Sequence, residues 1–161
     1  MSVTHEATNY RSGYSIGVGG VVLCGDKCLL VRSAYDKREW AIPGGFVEHG
    51  ETIDRAVQRE ILEEAGVQAE VKGMIAARNR ITDKENNAYF VFLLHASTEE
   101  AQADGYEVTQ AQYFTLEEIK ALPDLNPLTQ LIALRTLEGK IQLLPFQAHP
   151  TLPASEYVLY I

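Results

Sequence analysis

The sequence predicts an α/β sandwich, with one mixed sheet held between helices. Three observations lead there. A chain of 161 residues is about one domain. Its composition, 46% apolar and 22% charged, is that of an ordinary soluble domain and excludes collagen-like, coiled-coil and wholly disordered chains. Short Val-rich runs bounded by turn residues alternate with helical segments in the order β-β-α-β-β-β-α-α. A chain of this size buries roughly 70% of its unfolded surface and needs no disulfide or metal staple.

Residues 1–12 are polar and read as a loose N-terminal segment. From Ser15 to Ser33 two strands, IGVGGVVL and KCLLVRS, flank a turn at Gly25-Asp26. The charged loop AYDKRE then leads to Trp40-Ala41-Ile42 and to Pro43-Gly44-Gly45. There the missing donor of proline and two glycines, which permit positive φ, predict a sharp bend. Thr52 to Ala65 is the clearest helix, with Thr52 as its cap, Asp54 in its first turn and Gly66 at the left-handed exit. Gln68–Thr82 and Ala88–Ala96 read as strands joined by the polar DKENN, followed by a strand at Tyr106–Phe114. Leu116–Leu122 is a short helix and Leu128–Glu138 a longer one. In the tail, 139–161, the apolar end Tyr157–Ile161 can add an edge strand, seal the core or pack on a partner subunit. Without repeats or low-complexity tracts, 1–161 reads as a single domain.

Charge narrows the function. Lys and Arg number 14 against 22 Asp and Glu, a net charge of −8, so general nucleic-acid binding is not expected. A small anion remains acceptable if cations accompany it. No apolar stretch reaches membrane-span length, so no membrane association is expected, and the N-terminus lacks the apolar core of a signal peptide. Cys24 and Cys28 flank the Gly25-Asp26 turn; as a metal pair they are weak, and they read as hairpin residues in a reducing, cytoplasmic setting.

On the main helix Ile53, Ala56 and Val57 begin an apolar stripe that Glu60 and Glu64 continue, with Glu63 beside them. One reading is a solvated acidic face paired with Arg55 and Arg59. It accounts for Glu63, which Arg59 precedes by one turn, but not for Glu60 and Glu64, which share a side and repel. The other reading is a hard divalent cation, Mg²⁺ or Mn²⁺, held by clustered carboxylate oxygens.

From Gly45 the chain runs GFVEHGETIDRAVQREILEEAGV. It matches G-x5-E-x7-R-E-U-x-E-E-x-G-U, U being a bulky aliphatic, at Gly45, Glu51, Arg59, Glu60, Ile61, Glu63, Glu64, Gly66 and Val67. From average residue frequencies a chance match has odds on the order of 10⁻⁸. The segment resembles the box of the Nudix hydrolases, and the element order extends the resemblance over most of residues 15–138. The resemblance implies a Nudix-type α/β/α sandwich around a central mixed sheet and an intact enzyme: an Mg²⁺-dependent pyrophosphohydrolase, with Mn²⁺ as an alternative ion. It implies that Glu60 and Glu64 are the principal metal ligands, with Glu63 a further ligand or the group orienting water. The backbone carbonyl of Gly44 completes the shell. Glu51 and Arg59 tie the loop to the helix, and Gly45 and Gly66 serve backbone geometry.

Water then attacks phosphorus in a nucleoside diphosphate-X, giving a nucleoside monophosphate and phosphorylated X. Glu63 or Glu107 is the candidate base, Glu107 having the alternative of an ordinary surface strand residue. Arg32, Arg78 and Arg80 can clamp phosphate, Arg78 and Arg80 sharing one sheet face. Tyr14, Tyr35 and Tyr89 can stack on a base but fit core or edge packing better, and His49 reads as solvated. Subfamily markers are missing: the proline of the ADP-ribose type is replaced by Thr82, and the tyrosine of the diadenosine type by Asp83-Lys84-Glu85. Nucleotide sugars, ADP-ribose-like molecules and (deoxy)nucleoside triphosphates therefore stay open. A nucleotide-binding sensor is disfavoured by the intact box, and RNA 5′-end removal by the acidic charge. The family's habit favours a homodimer.

Overall fold

The long strand β1 (Gly13–Cys24) organises the sheet in the computed structural model, which describes residues 13–35, 39–147 and 159–160. After it come β2 (Lys27–Ser33), β3 (Trp40–Ala41), β4 (Gly44–Phe46), α1 (Ile53–Ala65), β5 (Ala69–Ile81) and β6 (Glu85–Ala96). The chain continues with β7 (Val108–Thr115), α2 (Leu116–Ala121), α3 (Pro127–Leu137), β8 (Leu144–Gln147) and β9 (Leu159–Tyr160). The strand order is β3-β2-β1-β6-β5-β8-β9, with β4 added on β1 and β7 on β2. β1 and β6 run parallel from Gly13 opposite Glu85 to Leu23 opposite His95, while the other pairs are antiparallel, so the sheet is mixed.

Strand alternation splits the core in two. Val18, Val22, Leu29, Val31, Phe92 and Leu94 pack with Ala56, Val57, Ile61 and Ala65 of α1. Their neighbours Val21, Cys28, Leu30, Val91 and Leu93 pack on the other side, with Ile119 of α2 and Ile132 and Ala133 of α3. The expected sandwich is therefore present, with α1 on one face and α2 and α3 on the other. Gly20 lets α1 approach closely: a Cβ there would lie 2.6 Å from Ile61 Cδ1 and 2.8 Å from Leu94 Cδ1.

The helix termini follow local chemistry. Thr115 and Glu118 form a reciprocal capping box on α2, and the Asn126 carboxamide accepts from Leu128 N–H and Thr129 N–H at the start of α3. Gly66, at φ 65°, ends α1 in the left-handed region as expected. The cap assigned to Thr52 is not made. Its hydroxyl is buried without a hydrogen-bond partner among the described residues. The chain bends at Pro43 as expected, but neither glycine uses the positive φ open to it, and both pair with β1 as strand β4.

Glu107 lies in the turn before β7 rather than within a strand. Both cysteines are free, Cys24 closing β1 and Cys28 buried in β2. The tail supplies edge strands, β8 on β5 and β9 on β8. The N-terminal segment 1–12 and most of 148–161 lie outside the described residues. Among the described residues no helix is long and apolar enough to cross a membrane.

Candidate active site

The loop between β4 and α1, the inner face of α1 and the turn before β7 bring the acidic residues together. α1 buries Ala56, Val57, Ile61 and Ala65, and the same face carries Glu60 and Glu64 inward toward β4. Glu60 keeps only 12% of its side chain exposed, whereas Glu63 keeps 59%. The apolar stripe that ran into carboxylates is thus a real inward turn of charge. A solvated acidic face describes Glu63 alone.

Arg59 organises one side of the site. Its Nη2 donates to Glu51 Oε1 at 2.7 Å and to the Phe46 carbonyl at 3.0 Å, and its Nε to Glu51 Oε2 at 3.2 Å. The fork ties the loop to the helix, the arrangement assigned to Glu51 and Arg59 from the sequence. Glu51 Oε1 also accepts from Glu48 N–H at 2.8 Å, which closes the loop on itself. The remaining donor, Nη1, reaches Glu60 Oε1 at 2.9 Å and Glu63 Oε2 at 3.2 Å. Arg59 holds the Glu51 carboxyl below the usual carboxylate range, and these carboxylates in turn raise the Arg59 guanidinium.

On the other side, among the described residues, no cation pairs with the carboxylate. Glu64 Oε2 accepts from Gly44 N–H at 2.9 Å. Burial pushes its pKa up to about 8, with Glu60, Glu107 and Asp104 adding repulsion and the Gly44 amide opposing them. Glu60 is raised as well, by burial first, with Arg59 pulling against Glu63 and Glu107. Oxygen donors concentrated at a partly buried point short of positive charge suit a hard divalent cation. Among the described residues no three acidic, imidazole or thiolate groups yet converge as a ligand set. Glu60 and Glu63 are turned to Arg59, and Glu64 to the Gly44 amide.

Gly45 does more than shape the backbone. A Cβ there would collide with the Glu60 carboxylate, so the absent side chain is the space Glu60 occupies. At Gly44 a Cβ would strike the Val18 carbonyl and approach the Tyr89 hydroxyl at 3.0 Å. What Gly44 contributes in this structure is its N–H.

Glu107 is exposed, and its charge adds to the repulsion that raises Glu60 and Glu64. Asp104, which sequence reasoning passed over, holds that turn. Its carboxylate accepts from the N–H groups of Tyr106, Glu107 and Val108 at 2.9, 3.1 and 2.9 Å. The D-x-x signal of an Asx turn in DGYEV was the available clue.

The arginines separate. Arg80 pairs with Glu85 at 2.7 Å, and Arg32 lies over the Trp40 ring, 4.0 Å from Asp124. Neither contact belongs to the carboxylate cluster. Arg78 lies over Tyr89, its Cζ 5.1 Å from the ring centroid. Tyr89, half-buried, is the tyrosine that reaches the site. Tyr14 and Tyr35 are 87% and 55% exposed, contrary to the packing expected of them, and His49 is exposed as expected.

Comparison with known proteins bears on the same segment. The NUDIX domain profile matches residues 13–134. An ADP-ribose pyrophosphatase from Methanocaldococcus jannaschii is 33% identical over 113 residues, 67% of this chain and 66% of that protein. Nudix hydrolase 5 of Arabidopsis thaliana is 30% identical over 124 residues, 72% of this chain and 41% of that protein. The chain thus spans less than two thirds of the length of these curated relatives. A crystal structure of a MutT NUDIX hydrolase from Burkholderia pseudomallei superposes with a TM-score of 0.64 at 28% identity, covering 76% of this chain and 96% of that one.

Proposed function

The chain belongs to the NUDIX family, and from that premise we propose that it is a divalent-metal-dependent pyrophosphohydrolase. Its substrate is a nucleoside diphosphate-X, a nucleotide sugar, an ADP-ribose-like molecule or a (deoxy)nucleoside triphosphate. Water attacks phosphorus within the diphosphate and a phosphate oxygen leaves, giving a nucleoside monophosphate and phosphorylated X. The observation that carries this reading is the pair Glu60 and Glu64, drawn inward beside Gly44 with more negative charge than Arg59 balances.

Glu60, Glu64, Glu63 and the Gly44 carbonyl would hold Mg²⁺, with Mn²⁺ as the alternative. When bound, the ion neutralises charge on the phosphates and acidifies a coordinated water. The protein's own part is positional. Arg59 keeps Glu60 and Glu63 at one side of the site, and the Gly44 amide aims Glu64 from the other. Glu107 is the better candidate base: its carboxylate has no ion-pair partner among the described residues, whereas Glu63 is engaged by Arg59.

ADP-ribose heads the substrates to be tried, because the chain is 33% identical to an ADP-ribose pyrophosphatase over 66% of that protein. The test is turnover of ADP-ribose, UDP-sugars and deoxynucleoside triphosphates with Mg²⁺ or Mn²⁺, in ¹⁸O-labelled water. Label is expected on a phosphate product. Label on a sugar or base carbon overturns the mechanism, and tight nucleotide binding without turnover replaces the enzyme by a sensor.

A further inference from the structure

On the sheet face away from α1, Tyr89 and Arg78 stand directly opposite each other on β6 and β5. Gly17 pairs with Tyr89 on β1, and Gly19 and Gly44 pair with each other beside it. These three glycines form a trough for the ring. A Cβ on Gly17 would lie 2.7 Å from Tyr89 Cδ2, and one on Gly19 would collide with the Tyr89 hydroxyl. The phenol is therefore laid along the glycines with its hydroxyl end at Gly44, whose amide holds Glu64. Arg78 covers the ring, its Cζ 5.1 Å from the centroid.

Arg78 also differs from its neighbours in how its charge is used. Arg59, Arg80 and Arg32 each lie within 4.0 Å of a carboxylate. Among the described residues Arg78 has no such partner, and its Nε is buried without an acceptor. A planar cation held by stacking rather than by an ion pair retains its charge and its donors for another acceptor. Folded proteins seldom leave such a donor idle. In a chain of net charge −8, whose carboxylate cluster repels an anion, this cation stands one tyrosine ring away from Glu64.

We propose that Arg78, seated on Tyr89, binds the second phosphate of the substrate's diphosphate, the one that is not attacked. The proposal rests on the hydrolase reading above and sharpens it: Tyr89 is the spacer that sets the distance between the carboxylate cluster and the phosphate anchor. Arg80 and Arg32, engaged elsewhere, take no part. The phosphate that is not attacked is the leaving group and takes the electron pair of the bridging P–O bond, so an anchor on it holds substrate and also stabilises the transition state, and acts on both KM and kcat.

The experiment measures the Kd of methylenediphosphonate, a diphosphate that cannot be hydrolysed, with Mg²⁺ present. It is read beside kcat and KM for whichever nucleotide the wild type cleaves. Arg78→Gln is expected to weaken methylenediphosphonate binding and lower kcat/KM on the order of ten- to a hundredfold, the loss expected for a hydrogen bond to a charged group, with kcat lowered as well as KM raised. Tyr89→Leu, which removes the seat, shifts both in the same direction by less. A folded Arg78→Gln that binds within twofold of wild type overturns the proposal. Should that variant melt early, Arg78→Lys, which retains charge without the planar stack, must show a raised Kd, and an unchanged one overturns the proposal equally. If the wild type neither binds methylenediphosphonate nor cleaves any nucleotide, the hydrolase reading falls and takes this one with it. If the wild type does both and Arg78→Gln matches it, only the anchor falls.

Discussion

Glu51 and Glu64 sit toward opposite ends of one loop–helix segment, and the fold treats them in opposite ways. Glu51 meets the Arg59 fork and a backbone amide, so its carboxyl is held below its ordinary range. Glu64 meets one backbone amide, burial and other acids, and its pKa rises to about 8. The first arrangement is complete within the protein. The second has a demand for positive charge that the protein does not meet. Two identical side chains thus separate a structural clamp from a site awaiting a ligand.

The largest effect expected from this contrast is on turnover. Glu64→Gln keeps an oxygen for the Gly44 amide but loses the charge a hard cation requires, so kcat should fall by about 10²-fold or more with the fold retained. Glu51→Gln should cost stability first, leaving most of the turnover at temperatures where the variant stays folded. Steady-state assays beside thermal melts check both. Full activity in Glu64→Gln would erase the distinction.

A smaller effect is expected from Mg²⁺ on stability. An ion that binds only the folded state adds about 2.7 kcal/mol at a hundredfold excess over Kd. Melting temperature should therefore rise by several degrees in wild type and in Glu51→Gln, and much less in Glu64→Gln. Equal responses in all three would move the ion away from Glu64.

A further effect is on pH dependence without metal. Glu64 keeps its proton in the folded state up to about 8 but releases it near 4.5 when unfolded, so its contribution is full below 4.5 and fades as pH rises toward 8. Glu51 behaves in reverse, contributing above its unfolded pKa and losing that contribution on acidification through its lowered folded pKa. Against wild type, Glu64→Gln should gain relative stability between pH 5 and 8, and Glu51→Gln should lose its deficit at low pH. Melts across the pH range decide the signs.

Much of this was legible in the sequence, because the features concerned are periodic or carry their own punctuation. The helix from Ile53 shows its inward face as a stripe and its end as Gly66, and the β1–β2 hairpin shows Gly25-Asp26 between Val-rich runs. What escaped depends on long-range register. β3 and β4 span two and three residues, too short for any alternation to register. The purpose of Gly45 is visible only once Glu60 points at it. The pairing of Arg78 with Tyr89 depends on two irregularities in β5, between Val71 and Gly73 and between Met74 and Ala76, and each shifts the register of everything beyond it. Thr52 had the right residue type for a cap, but no hydrogen bond from its hydroxyl followed.

The turn that carries Glu107 is fastened at two levels. Asp104 alone takes the amides of Tyr106, Glu107 and Val108, while Gln102 N–H and Asp104 N–H bond to the carbonyls of Ala65 and Glu64 at the end of α1. In the time domain these amides form one unit with the last turn of the helix. Their exchange with deuterated solvent should speed up together when Asp104 is replaced by Ala, and Glu107 should then drift from Glu60 and Glu64 while the sheet beneath continues to exchange slowly.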